Sequence, residues 1–318
     1  MGKRYVLNKK EKNMSDELFK QVHKQLSYAE GKQAGSGLAS YRTKLRAFCN
    51  FLAKDFQLRN LNNINNKHLS AFVKHRLELN VKDIQTELSA IRKFHSKLPN
   101  PRYKQLESNN SKLGLDPRRT IKNGKNIVNR AWSEEEFKRA VEIAKQSVNP
   151  KISEALRIAR YSGMRLNEVT AMTRSQIREA LECGNLNPTH SKGGLQRTIP
   201  VGEELYTVLR DVYIKSDRSD NRIFIQHGLS HKQIKKQINN FIQNHRSKWS
   251  EVDLENTQKV DNPNFRVRKE LSFHGLRHSF AREEYQRNLS KGMVEKDSRM
   301  AVSRVLGHNR DEVTKVYL

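Results

Sequence analysis

The forty-eight residues from Leu271 to Leu318 constrain this chain most, because their reactive side chains recur at intervals that only a helix-and-turn scaffold can bring together. They hold His274-Gly275-Leu276-Arg277-His278, then Leu306-Gly307-His308, then Tyr317. His274 and Arg277 are three residues apart, so a helix projects both from one face while Leu276 and Phe280 turn toward a core. Gly307 is expected to end a helix through Val302, Val305 and Leu306, leaving His308 at an irregular position just beyond it. Asp311 then caps a last short helix with Val313, Val316 and Tyr317 on one stripe. Two imidazoles, a guanidinium and a phenol gathered this way suit an oxyanion, and a phosphate best.

Charge points the same way. The chain has 61 Lys and Arg against 34 Asp and Glu, a net charge of +27. Such an excess repels itself in the folded state and implies a polyanionic partner, most often nucleic acid; the plain alternative is a highly charged soluble protein without one. Residues 1–130 hold 28 basic and 10 acidic side chains, residues 131–318 hold 33 and 24, so the smaller part has the stronger grip. Cys49 and Cys183 are too few for a disulfide framework, match no metal-ligand spacing and are both expected to be buried. No apolar run reaches the length of a membrane span and the N-terminus lacks the apolar core of a signal peptide. A soluble, reducing, cytoplasmic location with no membrane partner is therefore expected.

At 318 residues two domains fit. Residues 1–105 show four helical patterns: Ser15 to Ala29; a run from Tyr41 with Leu45, Phe48 and Leu52; one with Leu69, Phe72, Val73 and Leu77; and one with Ile84, Leu88, Ile91 and Leu98. Each stripe needs a partner, so a small helical bundle follows. Arg42, Arg46, Arg92, Lys93 and Lys97 lie off the apolar faces and are candidate phosphate contacts, although a solvated face explains any one of them as well. His23, His68, His75 and His95 show no metal spacing and are expected at the surface or its boundary. Residues 106–130 read as a basic linker with Pro117, Arg118, Arg119, Lys122, Lys125 and Arg130, either a strap around a duplex or an ordinary tether.

Ser133 and Glu136 make a capping box that opens the second part, residues 131–318. A helix from Ile152 to Tyr161 stops at Ser162-Gly163, and Arg165 starts a short helix with Leu166, Val169 and Met172. Arg165 either pairs with Glu168 or is a phosphate fork that Glu168 holds; local sequence leaves both open. Asn185 to His190 and Leu195 to Val201 flank Ser191-Lys192-Gly193-Gly194, predicting a hairpin with Lys192 at its tip. Helices follow at 203–215 and 230–247, and 248–270 carries no assignable pattern. The fold class is mainly α with a small antiparallel β-sheet.

Taken together, Tyr161-Ser162-Gly163-Met164-Arg165-Leu166-Asn167-Glu168-Val169, the Lys192 hairpin, the His274–His278 motif, Leu306-Gly307-His308 and Tyr317 resemble the tyrosine recombinase, or phage integrase, family. Tyr41 to Phe48 and Leu88 to Phe94 resemble its helical core-binding domain. The resemblance implies a catalytic set of Arg165, Lys192, His274, Arg277, His308 and Tyr317. Tyr317 would attack a phosphodiester to give a 3′-phosphotyrosine, Arg165 and Arg277 would clamp the non-bridging oxygens, and His308 would donate to the same phosphate. His274 would act as general base or proton shuttle, Lys192 would protonate the leaving 5′ oxygen, and Glu168 would orient Arg165. It further implies double-stranded DNA as partner, a homotetramer on paired sites, accessory DNA-bending proteins, no metal, no cofactor, and integration or excision of a mobile element in a bacterial or phage-type host. A type IB topoisomerase or resolvase with the same chemistry, and a catalytically silent DNA-binding protein, are the alternatives. The interval from Arg277 to His308 is longer than is typical, and Ser290 to Asp297 is expected to form an extended loop. Whether Tyr317 serves its own site or a neighbour's stays open.

Overall fold

Helix caps written into the sequence fix most of the elements seen in the computed structural model, which describes residues 5–29, 36–79, 81–115, 129–189, 196–216, 222–225, 228–251, 270–308 and 310–318. The chain divides into two compact units, Met1–Lys125 and Asn126–Leu318. The first holds α1 (Lys9–Ala29), α2 (Ser36–Asp55), α3 (Asn66–His75) and α4 (Val81–His95). Helix α1 begins before the predicted Ser15 because Asn8 and Glu11 cap each other, side chain to backbone, at 2.8 and 2.9 Å. Asn65 caps α3, and the His68 ring accepts a bond from the Asn65 amide at 3.1 Å.

Leu18, Val22, Leu45, Phe48, Leu52, Leu69, Phe72, Ile84, Leu88 and Ile91 interlock as the first core. Leu113 and Leu115 join it, so residues leading to 115 pack on this unit instead of running free. A buried ion pair at 2.8 Å joins Arg76, just past α3, to Glu87 of α4. Two expectations need correction. His68 and His95 are buried, the first as a capping partner and the second within α4's inner face, while His23 and His75 are exposed as expected. Cys49 is buried but Cys183, at the end of a solvent-facing helix, is exposed.

The second unit holds α5 (Glu134–Lys145), α6 (Lys151–Ser162), α7 (Leu166–Thr170), α8 (Arg174–Cys183), β1 (Asn185–Leu186), β2 (Ile199–Pro200), α9 (Glu203–Lys215), α10 (His231–His245), α11 (Phe273–Ser290), α12 (Glu295–Leu306) and α13 (Asp311–Thr314). Strands β1 and β2 pair antiparallel, Leu186 opposite Ile199. The predicted antiparallel pairing is present but spans only two residues on each side, shorter than the runs 185–190 and 195–201, and the tip with Lys192 lies outside the described residues. Helix α8 is additional; its signal is the Thr173–Gln176 capping box. The predicted loop from Ser290 to Asp297 shrinks to four residues between α11 and α12, turned by Gly292 at φ +82°. The last helix ends at Thr314, which leaves Val316 62% exposed while Tyr317 turns inward; the two do not share a stripe.

Helices α5, α9 and α11 all pack on α6, whose Ile152, Ala155, Leu156, Ile158 and Ala159 are buried. Helix α11 shows no single apolar stripe, because its first half is enclosed on every side while its second half is open: every residue from Gly275 to Ala281 is buried, Arg277, His278 and Ser279 among them, whereas Glu283, Gln286 and Arg287 are exposed. Buried polar side chains need partners or a task. Ser279 has its partner in the stretch before α5, accepting from Trp132 N at 2.8 Å and donating to Trp132 O at 3.1 Å. Trp132 Nε1 donates to Ser272 O at 2.9 Å. This clasp needs Gly275, since a Cβ there would stand 2.3 Å from Arg130 O.

Candidate active site

Five of the six predicted catalytic residues come together in the second unit; the sixth, Lys192, is outside the described residues, as are Arg118, Arg119, Lys122 and Lys125. Arg165 is placed by the end of α6, where Gly163 takes φ +63° and the chain turns into α7. The Arg165 amide donates to Glu168 Oε2 at 2.8 Å and its Nη1 to Glu168 Oε1 at 3.0 Å. Glu168 also receives both terminal nitrogens of Arg197, at 2.8 and 2.6 Å. Burial alone would raise the Glu168 pKa, but Arg197 and then Arg165 hold it down to about 2. The Glu168 side chain is 1% exposed and that of Arg165 is 23% exposed, so the guanidinium is anchored at one side and open at the other.

Arg277 is 1% exposed. Its Nη1 donates to Gly163 O at 2.6 Å and its Nη2 to Leu306 O, so it binds the carbonyl ends of α6 and α12, where helix dipoles favour a cation. Burial lowers its pKa to about 10, which leaves it charged at neutral pH. Gly307, at φ +73°, ends α12 and releases His308, whose amide donates to Ser303 O at 2.9 Å. His308 Nε2 then faces Arg277 Nη2 at 3.2 Å and Tyr317 Oη at 3.1 Å. A guanidinium only donates, so Nε2 carries the lone pair and the phenol is its second donor. Burial, followed by Arg277, Arg165 and Arg197, depresses His308 to about 4, in keeping with a neutral ring.

Tyr317 is 6% exposed and is held by its own backbone: its amide donates to Thr314 O at 2.8 Å, and its carbonyl accepts from Arg282 Nε at 3.1 Å. Its ring centre lies 4.6 Å from that of His278, 6.0 Å from His274 and 5.8 Å from His308, with Arg277 Cζ at 5.8 Å. His274 is an exposed residue at the edge of the group; desolvation first, then the charges of Arg277, Arg130 and Arg165, lower it to about 4. His278, 3% exposed, is lowered to about 3 by burial first and His274 second.

His278 and Arg197 are the members that sequence reasoning leaves unassigned. His278 has a signal, the four-residue step from His274 that stacks their rings edge-on at 5.2 Å. Arg197 has a fainter one: it lies two residues before Ile199 of β2, and both are buried while Thr198 between them is exposed.

The first unit's candidates divide by what they already hold. Arg46 pairs with Asp16 and lies 4.9 Å over the Phe19 ring. Arg92 donates to Glu107 O and Asn110 Oδ1, both at 2.8 Å. Arg42 is half-buried, whereas Lys93 and Lys97 are exposed. Among the described residues no His, Cys, Asp and Glu group is arranged for a metal ion, and no helix is long and apolar enough to cross a membrane.

Residues 131–318 match the phage integrase family, and residues 29–99 match the phage integrase N-terminal SAM-like domain. No curated protein matches the sequence. A fragment of the Tn1549 transposon integrase in complex with transposon right end DNA is similar at a TM-score of 0.61, with 14% identity over 94% of each chain. A lambda integrase dimer bound to a COC′ core site is similar at a TM-score of 0.52, with 16% identity over 93% of each chain. At such identities the likeness speaks for the fold, while the family match covers more than half of the chain. With its mainly helical fold and gathered tyrosine, arginine and histidine side chains, the chain belongs to the phage integrase family, the tyrosine recombinases that cut and rejoin DNA.

Proposed function

We propose that this protein is a site-specific recombinase that cleaves duplex DNA through a 3′-phosphotyrosine on Tyr317 and uses it to integrate or excise a mobile element. The observation that carries this reading is the chain of contacts from Tyr317 Oη to His308 Nε2 at 3.1 Å and on to Arg277 Nη2 at 3.2 Å. A phenol with a pKa of about 10 is mostly protonated at neutral pH and attacks only with a base or cations beside it. Here it has both. Tyr317 Oη bonds to phosphorus, the P–O5′ bond breaks, and the leaving oxygen takes a proton, in the family's pattern from Lys192. The phenolic proton passes to the histidine group, where His308 is already its acceptor and His274 is the alternative.

Arg165 and Arg277 stabilise the charge that gathers on the non-bridging oxygens. A His308 that has taken the phenolic proton becomes an imidazolium beside the phosphoryl oxygens, and their negative charge favours it as a donor to them. Ligation is the reverse path, and the phosphotyrosine conserves the bond energy, so no ATP is required. Similar folds include integrases bound to DNA, which supports a duplex partner for this chain. A homotetramer on paired sites, with accessory DNA-bending proteins, is the assembly proposed for strand exchange.

A duplex nicked close to the scissile phosphate tests the chemistry. The wild type is expected to accumulate a covalent protein–DNA adduct resistant to denaturant, and Tyr317→Phe none. An undiminished adduct in Tyr317→Phe sinks the proposal, and binding without cleavage on every duplex favours a silent DNA-binding protein. Supercoil relaxation without exchange between two sites favours the topoisomerase alternative.

A further inference from the structure

We propose that Arg197 is a positioning residue that sets two phosphate-binding groups at once, Arg165 through its terminal nitrogens and His308 through its aliphatic stem. This rests on the recombinase reading of the same site. The Arg197 side chain is 3% exposed, so it does not meet DNA itself in the way an open guanidinium does. Its two terminal nitrogens take one lone pair on each oxygen of Glu168, at 2.8 and 2.6 Å. Arg165 takes another on each, through its amide at 2.8 Å and Nη1 at 3.0 Å. A carboxylate has about four acceptor positions, so Glu168 is saturated and can neither rotate nor change partner without losing a charge-assisted bond.

The stem of Arg197 does the second task. It runs beneath the turn that carries His308, and a Cβ placed on Gly307 would stand 3.0 Å from Arg197 Cδ and 3.6 Å from its Nη1. Gly307 at φ +73° is thus packed against Arg197 immediately before His308. Removing the side chain leaves a void under the turn and frees one side of Glu168. Arg165 and His308 then drift together, and misplacement of a reacting or clamping group is costly in rate. The charge of Arg197 also reaches His308 and adds to the depression of its pKa.

The test compares Arg197→Met, which keeps most of the stem, with Arg197→Lys, which keeps the charge and one donor. Single-turnover adduct formation on the nicked duplex should slow by about 10- to 100-fold in Arg197→Met, the usual scale for losing an outer partner of a functional group, with DNA affinity changed by less than about threefold. Arg197→Lys should recover part of that rate. In the DNA-free protein the His308 ring resonances should titrate at higher pH in Arg197→Met, through loss of the charge, and in Arg197→Ala should also change position as the turn loses its stem, readouts that need no activity. Wild-type cleavage with an unmoved His308 titration overturns the proposal. So does a rate loss that tracks unfolding and is not relieved in Arg197→Lys. If Arg197→Met does not fold, Arg197→Lys decides alone: an intermediate rate in a folded protein supports the proposal, and a wild-type or absent rate overturns it. Failure of the wild type to form any adduct counts against the recombinase reading, and the His308 titration then decides the role of Arg197 by itself.

Discussion

His278 has its ring centre 4.6 Å from that of Tyr317, and its burial makes it a liability in acid. His274, His278 and His308 are lowered to about 4, 3 and 4 by desolvation and nearby cations. In the unfolded chain each protonates near pH 6.5. Between that value and the folded-state values the unfolded state binds more protons, so stability is whole above about pH 6.5 and falls as the solution is acidified. Denaturant midpoints are expected to drop between pH 7.5 and 5, and to drop less in His278→Leu; an equal drop in both refutes the assignment. The reactive residues themselves are legible in the sequence because their types and spacing are local facts. What they touch is not. Glu168 and Arg165 are neighbours in sequence, but the Arg197 fork comes from the segment just before β2, 29 residues on.

At the scale of elements, α11 shows where periodicity stops informing. A half-exposed helix advertises its inner face by a stripe, as the four helices of the first unit do; the enclosed stretch of α11 from Gly275 to Ala281 has no outer face to contrast. The long interval before His308 misleads for a related reason, since one turn at Gly292 joins two helices where a polar run suggests a loop. The clasp of residues 130–132 on α11 gives a sharp test. Gly275 lies within a helix that any residue can enter, yet a methyl there would overlap Arg130 O and the Trp132 ring. Gly275→Ala is expected to destabilise the second unit by about 1–3 kcal/mol, the usual cost of forced packing. Thermal unfolding measures it, and an unchanged midpoint means that the clasp is looser than its geometry implies.

Across the whole molecule the net charge of +27 sets how DNA is held more than which sequence is chosen. Charge is readable by counting, but which cations are available to phosphate is not. Arg92 is spent on tying α4 to residues 107–110, while Lys93 and Lys97 are exposed. Lys97→Ala is expected to weaken DNA binding and to lower the slope of log affinity against log salt by up to about 0.9. Arg92→Ala should instead lower the stability of the first unit with a smaller change in slope. Equal slopes in the wild type and Lys97→Ala remove that lysine from the interface.

Tyr317 does not belong to the large core of its unit. With Phe280, Ala281, Val302 and Leu306 it forms a small separate cluster, moored by Arg282 and by the bonds between Ser303 and Arg310. Small cores open more readily than large ones. The tyrosine therefore sits in a sheath of its own, which mild heat should loosen while the larger core keeps its shape.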